Sequence, residues 1–455
     1  GCTVKIKNTI RRRYQGSLVK IMPKYLDPII TTPDHPIKIV PKEQFRFECG
    51  QLKTNLLKDF EYSLEWRSAK EIKRGDWVIV PRLRHNSLNP KLDLSKFNDF
   101  KSSHYRRGLK SLLLEKDIAW VLGLYVAEGH TNKMQVGNVI INFTLNKKEI
   151  RYAKKVSVVF RRLGYTTSIK NGRNNTLNVR ASCTALARAF VEWFGKEARV
   201  KQVPDFLMFA SCEIKTSFLR GLIAGDGYIK GNQVHFHTSS KVLALQIQLL
   251  IASLGGMVGI SYVKPYPRIL RGKKILSKDS WQLRGSSKIL ASIFGYSHKG
   301  KEVNHVIVKN DHILVPVKRV STEEYKGEVC NIETEDNTYL VSNAIVHNCH
   351  EHLTYFSLLS LDKLLKRHNL EVFSCELRDI NGGSFRTFIS NKGKRKVEGS
   401  VVRLRKMEEK LRLSEREIYD KFAKRIKKDK VILRSYIKKL VSENKTIYLL
   451  EQKYN

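Results

Sequence analysis

Apolar and polar positions alternate along residues 1 to 82 in runs separated by proline and glycine, such as GSLVKIMP and GDWVIVPR. This pattern predicts short β-strands. From about residue 110 the apolar spacing becomes helical, and three long runs each end on glycine, as helix C-termini commonly do. Strand-like runs such as NVIINFTL lie between these helices, and strand alternation returns near residue 311. The pattern therefore predicts an α+β block inserted into one β domain.

The inserted block repeats itself. GLYVAEG at 123–129 and GLIAGDG at 221–227 share glycine, leucine, an acid and glycine at identical positions, 98 residues apart. Farther on, SCTALARAF at 182–190 corresponds to SSKILASIF at 286–294, with an offset of 104 residues. A tandem duplication of this kind predicts a pseudo-two-fold pair of half-domains.

The last segment, residues 349–455, has a different character. It opens with an amphipathic helix pattern, LTYFSLLSLDKLLKRHNL, and continues through the strand-like LEVFSCELRDINGGSFRTFIS. It ends in a helical tail rich in lysine and arginine, and a charge run of this kind is most often a solvated face.

The charge balance narrows the classes of partner. The 455 residues include 84 Lys+Arg against 43 Asp+Glu, a formal net charge of +41. Positive side chains in such excess repel one another unless a polyanion binds nearby, and double-stranded DNA is the usual polyanion. A membrane surface is the alternative, but no apolar run approaches the length of a membrane span, and residues 1–20 hold no signal-peptide core. We therefore expect a cytoplasmic chain that binds double-stranded DNA and no membrane.

Two acids stand at corresponding positions of the repeat. Glu128 and Asp226 each precede the glycine that ends a predicted helix, where a carboxylate faces the negative end of the helix dipole. Small residues on the same helices would allow close packing, which brings both acids together. Paired carboxylates in a basic protein suit Mg²⁺ held against substrate phosphates, and Lys201 and Lys301 would polarise water or stabilise charge. A single such acid would more often be incidental to a core helix, but the duplication favours catalysis.

The two heptapeptides resemble the signature of the LAGLIDADG homing endonucleases, over about residues 105–305. The resemblance implies a monomeric endonuclease in which the two helices form the interface, Glu128 and Asp226 bind divalent metal, and each half's sheet lies in a DNA major groove. KQVP at 201–204 matches the region of the family's catalytic lysine, whereas Lys301 matches less well because no proline follows it. Polar residues that alternate with apolar ones on the strand patterns are candidates for base contacts, namely Asn142, Thr144, His235, His237, Gln282 and Arg284.

The end of the second β segment carries a different chemistry, in the residues His347, Asn348 and Cys349. An asparagine amide can attack its own backbone carbonyl, which forms a succinimide and cuts the chain after itself. The preceding histidine can move the proton, and the following cysteine can take an acyl group. A zinc site that also uses His350 and His352 is the alternative. It is disfavoured because these ligands straddle the end of a strand, and none of the seven cysteines forms a C-x-x-C pair.

Together with TTPDHP near the start, this ending resembles an intein, whose Hedgehog/intein splicing domain is all-β and commonly holds an inserted endonuclease. The resemblance implies that Thr32 and His35 assist an acyl shift at the intein's N-terminus. It also implies that residues 1–85 and 306–348 form the two parts of the splicing domain. Splicing of this kind needs no cofactor.

The sequence departs from the intein pattern in three places. Asn331 stands where many members have aspartate, and the histidine that is usual around Asn337 and Thr338 is absent. No CxxGDT-like start precedes the TxxH histidine, and Cys2 is interpreted as an ordinary strand residue. We therefore expect a fragment whose N-terminal intein and host segment is missing and in which only Asn348 cyclisation remains available.

Residues 349–455 resemble the C-terminal part of S-adenosylmethionine-dependent C-methyltransferases, including those that act on nucleotide-linked sugars. In that family the HEH segment lies at the active site, so Glu351 and His352 are candidates for acid/base roles. Cys349 stands where the family often has tyrosine. The alternative is a solvent-exposed HEH at the start of a helix.

The leading interpretation is a multidomain chain. An all-β Hedgehog/intein splicing domain is split by an α+β pseudo-two-fold LAGLIDADG endonuclease and is followed by an α/β methyltransferase fragment. It predicts Mg²⁺-dependent cleavage of a long double-stranded DNA target and splicing at the Asn348–Cys349 junction. The alternatives are a DNA-binding regulator on a decayed endonuclease scaffold and a methyltransferase with an inert insertion.

Overall fold

The computed structural model describes nine stretches of the chain: 4–45, 62–85, 89–98, 109–133, 139–270, 273–300, 305–347, 356–378 and 384–442. The chain divides into two compact units, unit 1 (Gly1–Cys349) and unit 2 (His350–Asn455). None of the helices within these stretches is both long enough and apolar enough to cross a membrane.

Five strands open unit 1: β1 (Ile6–Pro23), β2 (Ile29–Thr31), β3 (Pro36–Val40), β4 (Glu65–Ser68) and β5 (Trp77–Pro81). The prediction of short strands was wrong for β1, which runs unbroken for 18 residues. It pairs along its whole length with His312–Thr334, a strand near the other end of unit 1. A partner far away in sequence therefore sets its length.

The antiparallel pair β6 (Lys91–Asp93) and β7 (Ser111–Leu113) precedes the first repeat. The repeat consists of α1 (Lys116–Glu128), β8 (Gly129–Lys133), β9 (Val139–Asn146), α2 (Ile150–Arg162), β10 (Thr166–Asn171), β11 (Thr176–Ser182) and α3 (Thr184–Phe194). Its four strands form one sheet in the order β10-β11-β9-β8.

A single helical turn, α4 (Asp205–Met208), leads into the second repeat. This repeat consists of α5 (Cys212–Asp226), β12 (Gly227–Lys230), β13 (Gln233–Thr238), α6 (Lys241–Ser253), β14 (Gly259–Val263), β15 (Pro267–Leu270), β16 (Lys273–Leu276), β17 (Ser280–Gly285) and α7 (Lys288–Phe294). Its sheet has the order β12-β13-β17-β14, and β15 pairs with β16 as a separate hairpin.

The two repeats share one topology. In each, the four sheet strands lie in the order first, second, fourth, third, and the second helix has 13 residues. The β15–β16 hairpin is the main addition in the second repeat. The fold thus shows the internal repeat and the mixed α/β content that the sequence predicts.

Four strands complete unit 1: β18 (Ile307–Val308), β19 (His312–Thr334), β20 (Thr338–Val341) and β21 (Ala344–His347). They join the first five strands in a nine-stranded sheet with the main path β2-β1-β19-β5-β3-β21-β20. In addition, β18 pairs with β19 and β4 pairs with β3. Strands from the two ends of unit 1 are interleaved along this path, so neither β segment forms the sheet alone.

The two repeats and the nine-stranded sheet share one core. Buried apolar residues of all three parts belong to a single cluster, for example Ile21, Val80, Leu122, Leu250 and Val346. The α6 helix contacts both the strands of its own sheet and β5 of the nine-stranded sheet. A helix covered on two sides needs apolar residues around most of its circumference, and α6 has them.

Unit 2 is a small mixed unit of α8 (Leu358–Lys366), β22 (Leu370–Arg378), β23 (Ser384–Asn391), α9 (Gly399–Lys410) and α10 (Arg416–Ser442). The two strands pair antiparallel, and Val372 on β22 and Val401 on α9 belong to one buried apolar cluster. The buried Glu408 carboxylate accepts hydrogen bonds from the backbone N–H groups of Leu358 and Leu359, at 2.7 and 2.8 Å. Because these amides lie at the start of α8, Glu408 fixes the beginning of that helix.

Candidate functional site

The two helices that end in the paired acids cross at glycines. A Cβ atom added at Gly123 would lie 2.0 Å from the Phe218 carbonyl oxygen, and one added at Gly221 would lie 1.9 Å from the Trp120 carbonyl oxygen. Both distances are far shorter than van der Waals contact, so larger residues would push the helices apart. The helices α1 and α5 therefore touch backbone to backbone, as their small residues predict.

The crossing leaves the two acids at the same end of the helix pair. A Cβ atom added at Gly225 would lie 2.9 Å from the Glu128 Cγ. Glu128 therefore lies against the last turn of α5, whose final residue is Asp226. Each helix stops there because the next residues, Gly129 and Gly227, have extended backbones and begin strands.

Both carboxyl groups have raised pKa values, and Glu128 contributes to the rise at Asp226. Asp226 is exposed to solvent, yet the surrounding protein raises its pKa from 3.8 to about 7, with a second contribution from the Glu128 carboxylate. Burial also raises the pKa of Glu128, and Glu149 adds to that rise. Two acids that resist ionisation side by side favour a cation between them, and the exposure of Asp226 leaves the site accessible.

Lys201 lies next to this acid pair. Its side chain is only 6% exposed, and its ammonium nitrogen is 4.3 Å from the centroid of the Tyr125 ring. Burial lowers the pKa of Lys201 to about 8, although the Asp226 carboxylate acts in the opposite direction. No hydrogen-bond partner for its Nζ occurs among the residues that the structure describes. Lys201 is therefore a buried ammonium group that can still donate hydrogen bonds. Its predicted counterpart Lys301 lies outside the described residues.

The acid pair fits a hard divalent cation. Mg²⁺ in proteins is usually held by one or two carboxylates together with waters and substrate phosphates. Glu128 and Asp226 supply two carboxylates, and a dication would offset the repulsion that contributes to the raised pKa of Asp226. Within the nine described stretches, no cluster of three or more His, Cys, Asp or Glu residues offers a fuller ligand set. The arrangement suits a metal shared with a phosphate.

The candidate base-contact residues of the first repeat share one face of their sheet. On β9, Asn142 and Thr144 alternate with Phe143, which belongs to the core. On β11, Arg180 lies opposite Asn142 and Asn178 lies opposite Thr144. The Thr144 hydroxyl donates to the Asn178 Oδ1 at 3.3 Å. Arg180 and Asn178 were not predicted, although the alternation in TLNVRAS carries the same signal.

The four candidates of the second repeat also share one face. His235 and His237 on β13 lie opposite Arg284 and Gln282 on β17. The Nε2 atoms of His237 and Gln282 are 3.1 Å apart. Tyr228, which was not predicted, stacks on His235 with the ring planes 3° apart and the centroids 4.6 Å apart.

Accessibility separates these candidates. Asn142 and His235 are 4% and 9% exposed, and the Asn142 Nδ2 and His235 Nδ1 have no hydrogen-bond partner among the described residues. His237, Arg284 and Arg180 are exposed on the same faces. The exposed side chains are therefore the ones that duplex DNA could contact without rearrangement of the sheet.

A second polar cluster joins residues from both ends of unit 1. The His35 Nε2 lies 3.4 Å from the Tyr339 hydroxyl, which donates to the Asn331 Oδ1 at 2.9 Å. His347, the last residue of β21, lies edge-on to Trp66 with the ring centroids 5.0 Å apart. Burial lowers the pKa of His35 to about 4, and His347 contributes to the decrease. Burial therefore favours the neutral imidazole of His35.

A turn fixes the backbone of the segment that leads to His35. Its backbone N–H donates to the Thr32 carbonyl oxygen at 3.1 Å, so the TxxH segment closes on itself. Tyr339 and Trp66 belong to no motif recognised in the sequence, and only the fold brings them to the histidines. Besides Lys301, four candidates from the sequence lie outside the described residues: Asn348, Cys349, Glu351 and His352.

Several curated proteins match most of this chain. The ATP-dependent DNA helicase Hel308 of Thermococcus kodakarensis is 28% identical over 385 residues, which cover 76% of this chain and 33% of the helicase. A SufBD-family iron–sulfur cluster assembly protein of Mycobacterium bovis is 22% identical over 335 residues, which cover 70% of this chain and 35% of that protein. The chain thus spans about a third of the length of each of these relatives.

Among solved structures, mesophilic variants of the homing endonuclease I-DmoI are similar to 40% of this chain, over 97% of their own length. The sequence identity is 14% and the TM-score is 0.29. A score this low establishes nothing about a shared fold.

Two family models match parts of the chain. The model of the LAGLIDADG-like domain matches residues 213–280, which begin in α5 and include Asp226. The model of the C-methyltransferase C-terminal domain matches residues 379–450, which lie in unit 2. The chain thus contains a LAGLIDADG-like domain in its second repeat and a C-methyltransferase C-terminal domain near its end.

Proposed function

We propose that unit 1 is a metal-dependent endonuclease that hydrolyses phosphodiester bonds at a specific site in double-stranded DNA. One observation carries this proposal: two repeats of one topology meet at a glycine crossing, where Glu128 and Asp226 lie side by side next to Lys201. The LAGLIDADG-like match in the second repeat supports it. The formal net charge of +41 fits a polyanionic substrate.

Each of these three side chains has a part in the reaction. A divalent metal such as Mg²⁺ would stabilise negative charge on the phosphate and activate water. Glu128 and Asp226 would hold it on the axis between the repeats, and Asp226 must first release the proton that its raised pKa retains. The Lys201 ammonium, which has unused donor capacity, would donate to the developing charge or orient the attacking water.

The outer faces of the two sheets would contact the DNA. The exposed His237 and Arg284 in the second repeat and Arg180 in the first are the first candidates for base or phosphate contacts. Thr144 and Gln282 lie beside them on the same faces, whereas Asn142 and His235 are covered. Many lysines and arginines would contact only phosphates. Binding should then weaken steeply with salt. The logarithm of the binding constant should fall with the logarithm of the salt concentration, with a slope of about −0.9 for each phosphate contact.

The test uses the full chain with Mg²⁺ and a supercoiled plasmid library that carries random inserts. We expect Glu128→Gln and Asp226→Asn each to reduce cutting by more than about a hundredfold while DNA binding persists. Glu192→Gln is the matched control, since Glu192 is an exposed acid that pairs with Lys96. Cutting that survives both acid substitutions would contradict the proposal. Binding without any cutting by the unaltered chain would favour a DNA-binding regulator on a decayed scaffold.

We also propose that the nine-stranded sheet is a protein-splicing domain of the Hedgehog/intein type, acting at the Asn348–Cys349 bond. The observation that favours it is the cluster of His35, Tyr339 and Asn331 close to His347, drawn from both ends of unit 1. Two curated relatives also support this proposal. A helicase and an iron–sulfur assembly protein each match this chain over most of its length but over only about a third of their own. That relationship is expected when one insert occupies unrelated hosts.

The proposed cleavage needs no cofactor. The Asn348 side-chain nitrogen attacks the Asn348 carbonyl carbon, a five-membered succinimide forms, and the bond to the Cys349 nitrogen breaks. The proton lost by the Asn348 amide ends on the Cys349 amine, and His347 is the adjacent group able to move it. In a full splicing reaction, Thr32 and His35 would assist the N-terminal acyl shift and the Cys349 thiol would accept the acyl group.

Mass spectrometry of the full chain tests this second proposal. We expect a fragment that begins at Cys349 to accumulate, with a partner fragment that ends in a succinimide. Asn348→Ala should abolish both products, and His347→Gln should slow their release by about a hundredfold. A chain that stays intact through prolonged incubation would contradict the proposal.

The two proposals imply an arrangement of domains. Residues 1–85 and 306–348 would form the splicing domain, residues 105–305 the endonuclease, and residues 349–455 part of a host C-methyltransferase. That host would use S-adenosylmethionine, with Glu351 and His352 as acid/base candidates. Methyl transfer from radiolabelled S-adenosylmethionine by the spliced host, lost in Glu351→Gln and His352→Gln, is the expected result. Unchanged transfer in both variants would exclude these roles.

A further inference from the structure

The second repeat is attached to the nine-stranded sheet through a buried side-chain amide. Gln248 on α6 is fully buried, and its Nε2 donates to the carbonyl oxygens of Tyr25 and Val258, each at 2.8 Å. Its Oε1 accepts a hydrogen bond from the Asn343 Nδ2 at 2.9 Å. Tyr25 and Asn343 belong to loops of the nine-stranded sheet, whereas Val258 belongs to the second repeat. One glutamine thus joins both structures.

Asn343 lies in the tight turn between β20 and β21. Ser342 and Asn343, the two central residues, have φ values of 50° and 66°, as expected for a two-residue hairpin of mirror-image type. The Asn343 Nδ2 also donates to the Leu245 carbonyl oxygen on α6, at 2.9 Å. Both N–H bonds of this amide therefore point to one helix of the second repeat.

The turn directly precedes the strand that carries His347. The β21 strand has four residues and pairs with β3 only at Val346 and Ile37. Its other partner is β20, within the same hairpin. The β21 strand is therefore packed in the sheet but has a single paired position on β3, so the attachment of the turn to α6 helps to set the register in which β21 ends.

We propose that Gln248 and Asn343 are positioning residues for the Asn348–Cys349 cleavage. The α6 helix of the second repeat holds the β20–β21 turn and thereby the position of His347. This inference rests on the proposed splicing function and deepens it. The described residues of the first repeat hold no equivalent link: at the position that matches Gln248, Ser157 exchanges a hydrogen bond with Thr167 inside its own repeat, at 2.6 Å.

The first experiment compares two substitutions in the same turn of the full chain. Asn343→Gly removes the link to α6, while glycine keeps the left-handed backbone. Ser342→Gly is the matched control, because the Ser342 hydroxyl bonds to the Pro28 carbonyl oxygen and not to α6. We expect Asn343→Gly to slow release of residues 349–455 about tenfold and Ser342→Gly less than about twofold. Plasmid cutting should be unchanged in both.

A second substitution approaches the link from α6. Gln248→Met keeps the length of the side chain and removes its polar atoms. If Gln248 and Asn343 act as one link, the double variant should release the fragment no more slowly than the slower single variant. Additive slowing would show two independent effects and would contradict a shared positioning role.

Fluorescence reports the position of His347 without any cleavage. The indole of Trp66 touches the His347 ring, and an imidazole in contact with an indole quenches its fluorescence. The part of the quenching that disappears in His347→Gln therefore measures this contact. We expect Asn343→Gly to lose most of that component and Ser342→Gly to keep it.

The outcomes separate this inference from the proposal beneath it. Equal release rates and equal quenching in the two glycine variants would overturn the positioning role and leave the splicing proposal intact. If the unaltered chain releases no fragment, the splicing proposal fails. In that case the fluorescence measurement alone tests the link to α6. Loss of the quenching in Asn343→Gly would support the link, and unchanged quenching would overturn it.

Discussion

The second helices of the two repeats, α2 and α6, occupy equivalent positions and have equal lengths, yet they have opposite surface character. Where α2 has Lys154 and Arg161, α6 has Leu245 and Ala252 at the matching positions. The α2 helix covers its sheet and faces solvent. The α6 helix lies between its sheet and the nine-stranded sheet. Duplication therefore kept the fold, while the neighbourhood of each copy determined its surface.

One matched pair shows the difference most clearly. Val158 on α2 is 59% exposed, and the corresponding Leu249 on α6 is 8% exposed. An apolar stripe is sufficient for a helix with one buried side, whereas a helix buried on two sides is apolar almost all round. The surface residues of each helix therefore indicate which neighbours cover it, in addition to how its repeat folds.

The helix crossing is where the two repeats should behave alike, and there we expect the largest effect. Gly123→Ala and Gly221→Ala should each lower the free energy of unfolding by at least about 3 kcal/mol, because each new Cβ meets a carbonyl oxygen. Urea denaturation measures both. Gly164→Ala is the control: its Cβ meets nothing within 4 Å, so only the left-handed backbone is strained. A large difference between the Gly123→Ala and Gly221→Ala variants would show that the two glycines are not equivalent at the crossing.

The matched pair on the second helices should behave unequally. Leu249→Lys should lower the free energy of unfolding by about 2 to 3 kcal/mol, because it buries a charge against the nine-stranded sheet. Val158→Lys should change it by less than about 0.5 kcal/mol, since that position is already exposed. Thermal unfolding of both variants makes the comparison. Equal losses would show that α6 is not held by the sheet.

Asp226 at the crossing should make the stability of the chain depend on pH. The pKa of Asp226 is raised in the folded chain, so ionisation destabilises the fold as pH rises from about 4 through about 7. Asp226→Asn should therefore stabilise the chain at pH 8 by about 1 kcal/mol or less, because solvent screens an exposed carboxylate. The gain should vanish at pH 4. The free energy of unfolding measured at both pH values tests this prediction. Stabilisation at pH 4 but not at pH 8 would contradict it.

The smallest effect concerns the ion pairs that join α2 to α1. Asp117 lies 3.1 Å from the Lys155 Nζ and 3.6 Å from an Arg162 nitrogen, and all three side chains are well exposed. Asp117→Asn should lower the free energy of unfolding by less than about 0.5 kcal/mol, and salt should remove the difference. Denaturation at low and high salt measures it. A larger loss would mean that α2, like α6, depends on a specific polar attachment.

The sequence contains a good part of the candidate endonuclease site. The repeated heptapeptides put Glu128 and Asp226 at the ends of two helices and put small residues where those helices meet, so their proximity was predictable. Alternation on β9 and β13 likewise assigned Asn142 and His235 to polar faces. Their burial was not predictable, because it depends on side chains of neighbouring strands, such as Tyr228 over His235.

The sequence by itself determined the features that depend on residues near one another in the chain: helix periods, terminal glycines, the repeat and the apolar character of α6. Only the tertiary structure decided the features that join distant segments. The unbroken β1 depends on β19, and the contact of His35 with Tyr339 spans 304 residues. The link from Gln248 to Asn343 spans 95 residues. No local pattern encodes such a contact, because it forms only after the intervening chain has folded and has brought both partners into one core.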